Sequence, residues 1–360
     1  MQKRQLIYAS VALSVLIFLY YSIMLGDRSF ATPDEARYVE ISREMLVTGD
    51  FVTPRLNGVK YFEKPPLFYW LQAGVMKVFG SSEFAMRMVT VAIAVGGVVA
   101  TFAFAASIYG LLVGAVAALI LATSPLYFGL AHLIILDMSA SVFVTLSLFS
   151  FYKAITSTST HRRRLWFWGF AVACGLGVMT KGVMALALPG PVIVAWLTAT
   201  KQWGRLRPFY PFSSLIIFFS IVIPWHAAVS LANPEFAYKY FIVEHFLRFT
   251  TNHHEHYQPI WYFVPVVLLG LFPWIAAAFV RYRNDQPSIR HCEALLGAAA
   301  IQETKTSAVA PGLLRCARND DRGLVIPDKS TVYSYGDTRN DGDGWRDPLT
   351  LYLLLWAGWV

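Results

Sequence analysis

The amino-acid sequence predicts an all-α polytopic membrane protein, in which a bundle of transmembrane helices carries a long structured first external loop. Of the 360 residues, 56% are hydrophobic and only 14% are charged. Several apolar segments reach the about 18–22 residues that are needed to cross the hydrocarbon core of a bilayer. The 11 Trp and 18 Tyr residues suit the membrane–water interfaces, where aromatic side chains are enriched. We expect spans at 6–25, 84–107, 111–128, 139–156, 165–180, 182–199, 211–231 and 261–280, and the start of a ninth near 349.

The first segment, 6–25, is expected to be a retained transmembrane helix. Its apolar run is too long for the hydrophobic region of a signal peptide, and it lacks an A-x-A cleavage site.

Cysteine use and net charge argue against two other classes of protein. The three cysteines, Cys174, Cys292 and Cys316, do not form a disulfide framework. The formal net charge of +8 does not indicate nucleic-acid binding, because the basic residues lie in short loops between spans.

The same loops predict the orientation of the bundle. Lys and Arg are concentrated in alternate short loops, at 1–5, 161–164, 201–207 and 281–283. The alternate loop at 180–182 carries only Lys181. Because cytoplasmic loops are enriched in Lys and Arg, we place the basic loops in the cytoplasm. Three stretches then lie outside, at 26–83, 131–137 and 232–260.

The first external loop, 26–83, is long enough to be a functional element. Two amphipathic or apolar segments, 33–47 and 65–80, are expected to form helices on the membrane surface. A short true span at 65–80 is the alternative, but it would invert every later loop against the charge rule. The helical spacing of 33–47 puts Tyr38, Ile41 and Met45 on one face and Glu40, Arg43 and Glu44 largely on the other.

The region 284–346 does not fit the pattern of spans. It is polar, rich in Gly, Asp and Arg, and has no clear apolar period. We interpret it as an inserted sequence or as a disordered cytoplasmic loop, and both alternatives stay open. Residues 347–360 are expected to be the truncated start of a further transmembrane helix.

Asp34 and Glu35 are the first candidate functional acids. The run Thr32-Pro33-Asp34-Glu35 matches a capping box, with Thr32 at the N-cap and Glu35 reaching back to its backbone N–H. That role accounts for Glu35. For Asp34 two alternatives remain, a charge that the helix dipole favours and a catalytic acid.

Further charged residues lie in the same external stretches. A proline follows Lys64 and favours an extended backbone there, so Lys64, beside Glu63, suits a lipid-phosphate contact; a snorkelling lysine is the alternative. Asp137 is a lone carboxylate at membrane depth, which is costly and indicates function. Lys181 and Arg248 supply cations suited to an anionic ligand. Together these residues predict a protein that handles a phosphate-bearing lipid.

A histidine cluster lies in the third external stretch. Two of its imidazoles, His254 and His256, together with Glu63 make a candidate site for a divalent cation such as zinc. A solvated external loop is the alternative.

Several motifs carry a resemblance to a known family. These motifs are PDEARYVEISREML, YFEKPPLFYWLQA, HLIILDM, MTKGVMALALPG, EHFLRFTT…HYQPIWYFVP and DPLTLYLLLWAGWV. In order and spacing they resemble the GT-C polyprenyl-phosphate-sugar glycosyltransferases, above all the lipid A 4-amino-4-deoxy-L-arabinose transferases. The wider group includes the protein O-mannosyltransferases. The resemblance covers 1–283 and 347–360 but not 284–346.

The resemblance implies a fold and a reaction. Residues 1–283 would form a GT-C transmembrane catalytic domain in the bacterial inner membrane. The enzyme would move a sugar, with inversion, from an undecaprenyl-phosphate donor to lipid A, or to a protein, on the periplasmic side. Members of the family are longer than this chain, so reduced activity is expected.

The resemblance also implies roles for individual residues. Asp34 would be the first-loop acid at the catalytic centre and Asp137 its second acidic partner. Lys64 would contact the donor phosphate, and Lys181 and Arg248 would line the same cavity. The candidate zinc ligands match the region in which family members bind a divalent cation.

Three other functions stay open as alternatives. They are a protein O-mannosyltransferase-like enzyme, a non-catalytic remnant of a glycosyltransferase, and a lipid-sugar transporter. A transporter predicts charges at the bilayer midplane and internal repeats, whereas these charges cluster at one face.

Overall fold

The computed structural model describes residues 3–207, 210–247 and 260–277. The chain divides into two compact units, Met1–Leu271 with Trp345–Val360, and Phe272–Gly344. The predicted segments 284–346 and 347–360 lie outside the described residues. In the first unit the α-helices are α1 Lys3–Ser22, α2 Asp34–Thr48, α3 Leu67–Phe79, α4 Glu83–Tyr109, α5 Leu111–Thr123, α6 Pro125–Ala131, α7 Leu136–Thr156, α8 Thr160–Lys181, α9 Met184–Ala187, α10 Pro189–Ala199, α11 Pro211–Ala232 and α12 Phe263–Gly270. In the second unit, described residues extend only from 272 to 277.

Shorter elements join these helices. Two-residue strands, β1 Arg55–Leu56 and β2 Val59–Lys60, pair antiparallel. A 3₁₀ turn covers Trp203–Leu206, a π-helical segment covers Tyr238–Leu247, and a second 3₁₀ turn covers Ile260–Tyr262.

The helices confirm an all-α polytopic membrane protein. Within the described residues, four helical stretches are long and apolar enough to cross a membrane, namely Arg4–Ser22, Glu83–Tyr109, Leu136–Thr156 and Phe212–Ala232. A fifth candidate is the pair α5 and α6, which meet at an angle of 66°. Helix α8 contains the expected span 165–180, but it begins with the charged run 161–164.

Prolines explain where two predicted spans differ from the structure. The expected span 111–128 bends where Pro125 begins α6, and 182–199 is divided between α9 and α10, where Pro189 begins the second helix. A proline lacks the N–H that would continue the preceding helix. The expected span 261–280 is helical over Phe263–Gly270, and residues beyond 277 are not described.

Small residues let the spanning helices pack closely. Side chains of α1, α4, α5 and α7 share one core, which includes Tyr21, Met138 and the small residues Ala106 and Ala118. The Tyr21 hydroxyl donates to the Ala122 carbonyl at 2.9 Å, so this buried hydroxyl has a hydrogen-bond partner within the core. Such close approach of small residues is typical of helix pairs in membranes.

The first external loop is an ordered cap on the start of α4. Residues of α2 and α3 bury a common apolar cluster with Met86 and Ile134, which confirms helices at both predicted positions. Ile41 and Met45 lie on the buried face as expected. The placement of Glu44 on the opposite face is wrong. Its carboxylate is 9% exposed and accepts the Gly58 N–H at 3.1 Å.

The hairpin β1–β2 turns at Asn57 and Gly58. Both residues have positive φ, 53° and 78°, which is the conformation that an Asn-Gly pair favours in a tight hairpin turn. The sequence interpretation missed this hairpin, although the Asn-Gly pair signals it. The buried Glu44 carboxylate then holds the turn against α2.

Gly114→Ala should reduce stability, because a Cβ at this position would lie 2.7 Å from the Ala106 Cβ and 2.8 Å from the Phe102 carbonyl oxygen. Backbone atoms of α4 cannot move aside cheaply, so we expect a loss of about 1–3 kcal/mol. Thermal unfolding of the detergent-purified protein measures it. Gly96→Ala in α4 is the control, since no atom lies within 4 Å of its added Cβ. Equal midpoints for the two variants would contradict close packing of α4 against α5.

Candidate functional site

The site lies where α2 begins, and Glu35 has a different role there from the one predicted. The helix starts at Asp34 with Pro33 in the N-cap position and no side-chain cap. Glu35 does accept a backbone N–H, but from Ala31 at 2.7 Å rather than from Thr32. The proposed capping box is therefore wrong. Only 1% of Glu35 is exposed, because its carboxylate is the centre of a buried ion cluster.

Two arginines pair with the Glu35 carboxylate. Arg87 of α4, itself 1% exposed, donates from Nε and Nη2 to the two carboxylate oxygens, at 3.1 Å in both cases. Arg28 donates from its two terminal nitrogens at 2.7 and 3.2 Å. Paired bonds of this kind fix the orientation of both groups as well as attracting them.

Backbone contacts extend this cluster to three segments. Arg87 donates to the carbonyls of Leu25, Arg28 and Ser29 at 2.8–3.0 Å. Arg28 donates to the His132 carbonyl at 2.9 Å, and the Ile134 N–H donates to Glu35 at 3.0 Å. The loop after α1, the start of α4 and the stretch before α7 are thus joined through one carboxylate.

The hydrogen bonds determine the charge state of Glu35. Burial raises its pKa, but the bonds from Arg87 and Arg28 and from the Ala31 and Ile134 N–H groups more than reverse this effect. The pKa is lowered from 4.5 to about 2. Glu35 is therefore ionised at neutral pH and acts as a fixed structural anion.

The cluster positions both predicted catalytic acids. Asp34 precedes Glu35 directly, and Asp137 follows Ile134 by three residues in the first turn of α7. Their side chains are 58% and 55% exposed. Both acids are therefore accessible to a substrate although their backbones are held by a buried network.

Asp137 and Lys181 form an ion pair between the ends of two neighbouring helices. Lys181 is the last residue of α8. The sequence interpretation placed both residues at one membrane face, and the structure brings them into direct contact. Asp34 instead lies 3.7 Å from Arg37 one turn along α2.

Tyr38 lies among the acids. Burial raises its pKa to about 12, and the charges of Asp34, Asp137 and Glu63 act in the same direction. Asp34 lies four residues before Tyr38 on α2, so these two side chains share one face of the helix.

Arg37 and Tyr61 complete this polar group. The Tyr61 hydroxyl donates to Glu63 at 3.0 Å. Burial lowers the pKa of Arg37, but Tyr61, Glu63 and Asp34 raise it overall, so the guanidinium stays charged. Sequence reasoning did not select Arg37, Tyr38 or Tyr61. The helical spacing of Asp34, Arg37 and Tyr38 was the available signal for two of them.

The predicted metal site is not tested by the described residues. No group of three or more His, Cys, Asp or Glu side chains able to hold a metal occurs within 3–207, 210–247 and 260–277. His254 and His256 lie outside those ranges, as does Arg248. The zinc site and the role of Arg248 stay predictions. Lys64 is next to Glu63 and is described, but its contact with a phosphate also stays a prediction.

Contacts with α11 and with the segment after it fasten the other side of the loop 26–83. Lys60 forms an ion pair with Glu235 at 2.6 Å. Asn233 donates to the Thr53 hydroxyl at 2.9 Å. The Trp225 indole donates to a loop carbonyl at 2.9 Å. The loop is held to the bundle at both sides of the site.

Comparisons with known proteins identify the family of the chain. The family model described as dolichyl-phosphate-mannose-protein mannosyltransferase matches residues 7–239. An undecaprenyl phosphate-alpha-4-amino-4-deoxy-L-arabinose arabinosyl transferase from Edwardsiella ictaluri is 36% identical over 73% of this chain and 48% of its own length. The corresponding transferase from Pectobacterium carotovorum is 35% identical over 77% and 50%.

A solved structure gives the same result for the fold. The crystal structure of ArnT from Cupriavidus metallidurans bound to undecaprenyl phosphate matches with a TM-score of 0.69 and 32% identity. The match covers 76% of this chain and 50% of that one. The GT-C resemblance is confirmed, and the chain spans about half the length of the curated relatives it matches.

Glu35→Gln should destabilise the protein by about 3–5 kcal/mol, because it leaves the buried Arg87 without its counter-charge. Thermal unfolding in detergent measures the loss. Glu40→Gln is the matched control on the same helix. Glu40 pairs with Arg43 at 2.7 Å on the surface, and such a pair contributes at most about 1 kcal/mol. Equal losses in the two variants would contradict burial as the source of the effect.

The stabilising effect of Glu35 should depend on pH in a defined interval. Its folded pKa of about 2 is below the ordinary 4.5, so the carboxylate contributes fully above about pH 4.5 and loses its contribution as the pH falls towards 2. The difference in unfolding midpoint between wild type and Glu35→Gln should shrink over that interval. Midpoints measured from pH 2 to 6 test this, and a constant difference would show that another group dominates.

Proposed function

The chain belongs to the dolichyl-phosphate-mannose-protein mannosyltransferase family, and on that premise we propose that it is an inverting membrane glycosyltransferase. Its donor would be a sugar carried on undecaprenyl phosphate, as the names of its relatives at 35–36% identity indicate. The sugar would be 4-amino-4-deoxy-L-arabinose and the acceptor lipid A. The observation that carries this proposal is the family match over residues 7–239, in which the exposed Asp34 directly precedes the buried Glu35 and the exposed Asp137 pairs with Lys181.

The reaction exchanges one oxygen for another at the anomeric carbon of the sugar. The bond from that carbon to the lipid phosphate breaks, and the phosphate leaves with the electron pair. A new bond forms from the opposite face to an acceptor oxygen. When the acceptor is a hydroxyl group, its proton passes to a carboxylate base. An acceptor that is already a phosphate anion has no proton to lose.

Asp34 has the properties that this chemistry requires of an acid at the acceptor side. It is exposed, and its position is fixed because the neighbouring Glu35 belongs to the buried cluster. We assign to it the role of base towards a hydroxyl, or of partner for the acceptor or for the sugar amino group. The Asp137–Lys181 pair would orient the sugar, since a charged pair supplies both a donor and an acceptor of hydrogen bonds.

The leaving phosphate needs cations as its negative charge develops. We assign Lys64 and Arg248 to this phosphate, with Arg37 as a further cation in the same polar group. A zinc ion held by Glu63, His254 and His256 would add positive charge there.

We further propose that the site faces the periplasm of the bacterial inner membrane. The basic segments 1–5, 161–164 and 201–207 support this orientation, because they lie at the start of α1, at the start of α8 and between α10 and α11, which are the helix ends away from the site.

Asp34→Asn should lower sugar transfer at least about 100-fold, because the acceptor or the sugar amino group loses the charged partner that holds it in the reacting geometry. The assay follows modified lipid A by mass spectrometry in membranes supplied with the undecaprenyl-phosphate-linked sugar. Binding of undecaprenyl phosphate should change little, because Asp34 is assigned to the acceptor side. Asp27→Asn is the control: Asp27 is an exposed acid of the same external loop, and its loss should leave the rate within about twofold.

Three outcomes would contradict the proposal. Undiminished transfer by Asp34→Asn would remove the catalytic assignment. Transfer to secreted protein but not to lipid A would identify a protein O-mannosyltransferase-like enzyme, which the family description also admits. Binding of undecaprenyl phosphate without transfer by the wild-type chain would identify a non-catalytic member of the family.

A further inference from the structure

A cavity with two cationic side chains in its wall lies at the end of the bundle away from the candidate site. Its volume is about 560 Å³, within the range of ligand pockets. Asp137 and Lys153 both belong to α7, and their separation of 16 positions corresponds to about 24 Å along the helix. Residues of α1, α4, α7 and α8 line the cavity, among them Leu6, Ala103, Ser107, Lys153 and Arg162.

Lys153 gives this cavity its charge. Its ammonium group donates to the Ser107 hydroxyl at 2.5 Å and lies 5.6 Å from the centre of the Phe104 ring. Arg162, in the first turn of α8, is a second cation on the wall. In the part of the chain that the structure describes, neither residue forms an ion pair with an acid.

The sequence of the walls explains the lack of a counter-charge. Between residues 84 and 181, which include nearly all of α4 and the whole of α7 and α8, the only acid is Asp137. Residues 1–26, which include α1, contain none. A half-buried lysine without an acidic partner is costly within a membrane protein and indicates a ligand.

The rest of the lining divides into two chemical parts. Hydroxyl groups of Ser107, Ser157 and Thr158 lie on the same cavity as the two cations. Those of Ser107 and Ser157 donate to the Phe104 and Lys153 carbonyls, so the Thr158 hydroxyl is the one of the three that can donate to a phosphate oxygen. Leu6, Ala103 and the other apolar side chains form the remaining wall. A molecule with an anionic phosphate head and an apolar tail matches both parts.

We propose that this cavity binds an anionic glycerophospholipid, with the headgroup phosphate at Lys153 and Arg162 and an acyl chain along the apolar wall. Charge complementarity selects an anionic over a zwitterionic lipid. The position also suits a lipid of the basic side of the membrane, where pockets between helices bind such headgroups. This site is separate from the donor site, because it lies at the other end of α7.

Native mass spectrometry of the detergent-purified chain tests the proposal. Phosphatidylglycerol is titrated against wild type, Lys153→Met, Arg162→Gln and Arg164→Gln. We expect Kd to rise at least about tenfold for Lys153→Met, which loses charged hydrogen bonds, and about fivefold for Arg162→Gln. Arg164→Gln is the matched control. It removes the same charge two residues along α8, where Arg164 stacks on Trp168 at 5.2 Å and does not line the cavity.

Each other outcome would overturn the proposal. Equal binding of phosphatidylcholine would remove the selectivity for an anionic head. Competition by millimolar inorganic phosphate, without an effect of the acyl chains, would identify a free-anion site. Tighter competition by undecaprenyl phosphate would identify a second donor-lipid site. An equal loss for Arg164→Gln would identify general surface attraction. Arg162 is exposed, so Arg162→Gln should fold. Its Kd for phosphatidylglycerol therefore tests the proposal even where Lys153→Met does not fold.

Discussion

The buried pair of Glu35 and Arg87 is the interaction on which the external part of the structure depends. Each side chain is 1% exposed, so neither charge is stable there without the other. The remaining donors of Arg87 satisfy three carbonyls of the loop after α1, and the remaining capacity of Glu35 accepts N–H groups from Ala31 and Ile134. Neither the loop after α1 nor the stretch before α7 is regular secondary structure, and this ion pair supplies the hydrogen-bond partners of their backbone groups.

This arrangement separates the rigid groups of the site from the accessible ones. Glu35 is ionised but enclosed, and Asp34 beside it is exposed. The same division occurs at Ile134, which is bonded to Glu35, and at Asp137, which is exposed one turn later. The proposed transfer reaction would need its reacting groups fixed before the substrate arrives, and the buried cluster fixes the backbone beside Asp34 and Asp137 while both side chains stay exposed.

Hydrophobic length and loop charge were sufficient to predict the membrane-helix class, the helices at 33–47 and 65–80, and the location of Asp34, Asp137 and Lys181 at one face. They were not sufficient for Glu35 or Glu44, because local spacing gives an acid near a helix start or on its polar side a surface role. Their burial depends on partners 52 and 14 residues away in sequence. The prolines at 125 and 189 could have predicted the breaks in the helices. The spans were instead predicted from apolar length, and the apolar runs continue through both prolines.

The antiparallel packing of α7 and α8 accounts for a different charge pattern at each end of the bundle. At one end, Asp137 lies at the N-terminus of α7 and Lys181 at the C-terminus of α8, so each charge is at the helix end whose dipole stabilises it. At the other end, Lys153 lies in the last turn of α7, but α8 begins with Thr160 and Arg162 instead of an acid. The same two helices thus supply a balanced pair at one end and cations without an acidic partner among the described residues at the other, which is why the proposed lipid headgroup is anionic.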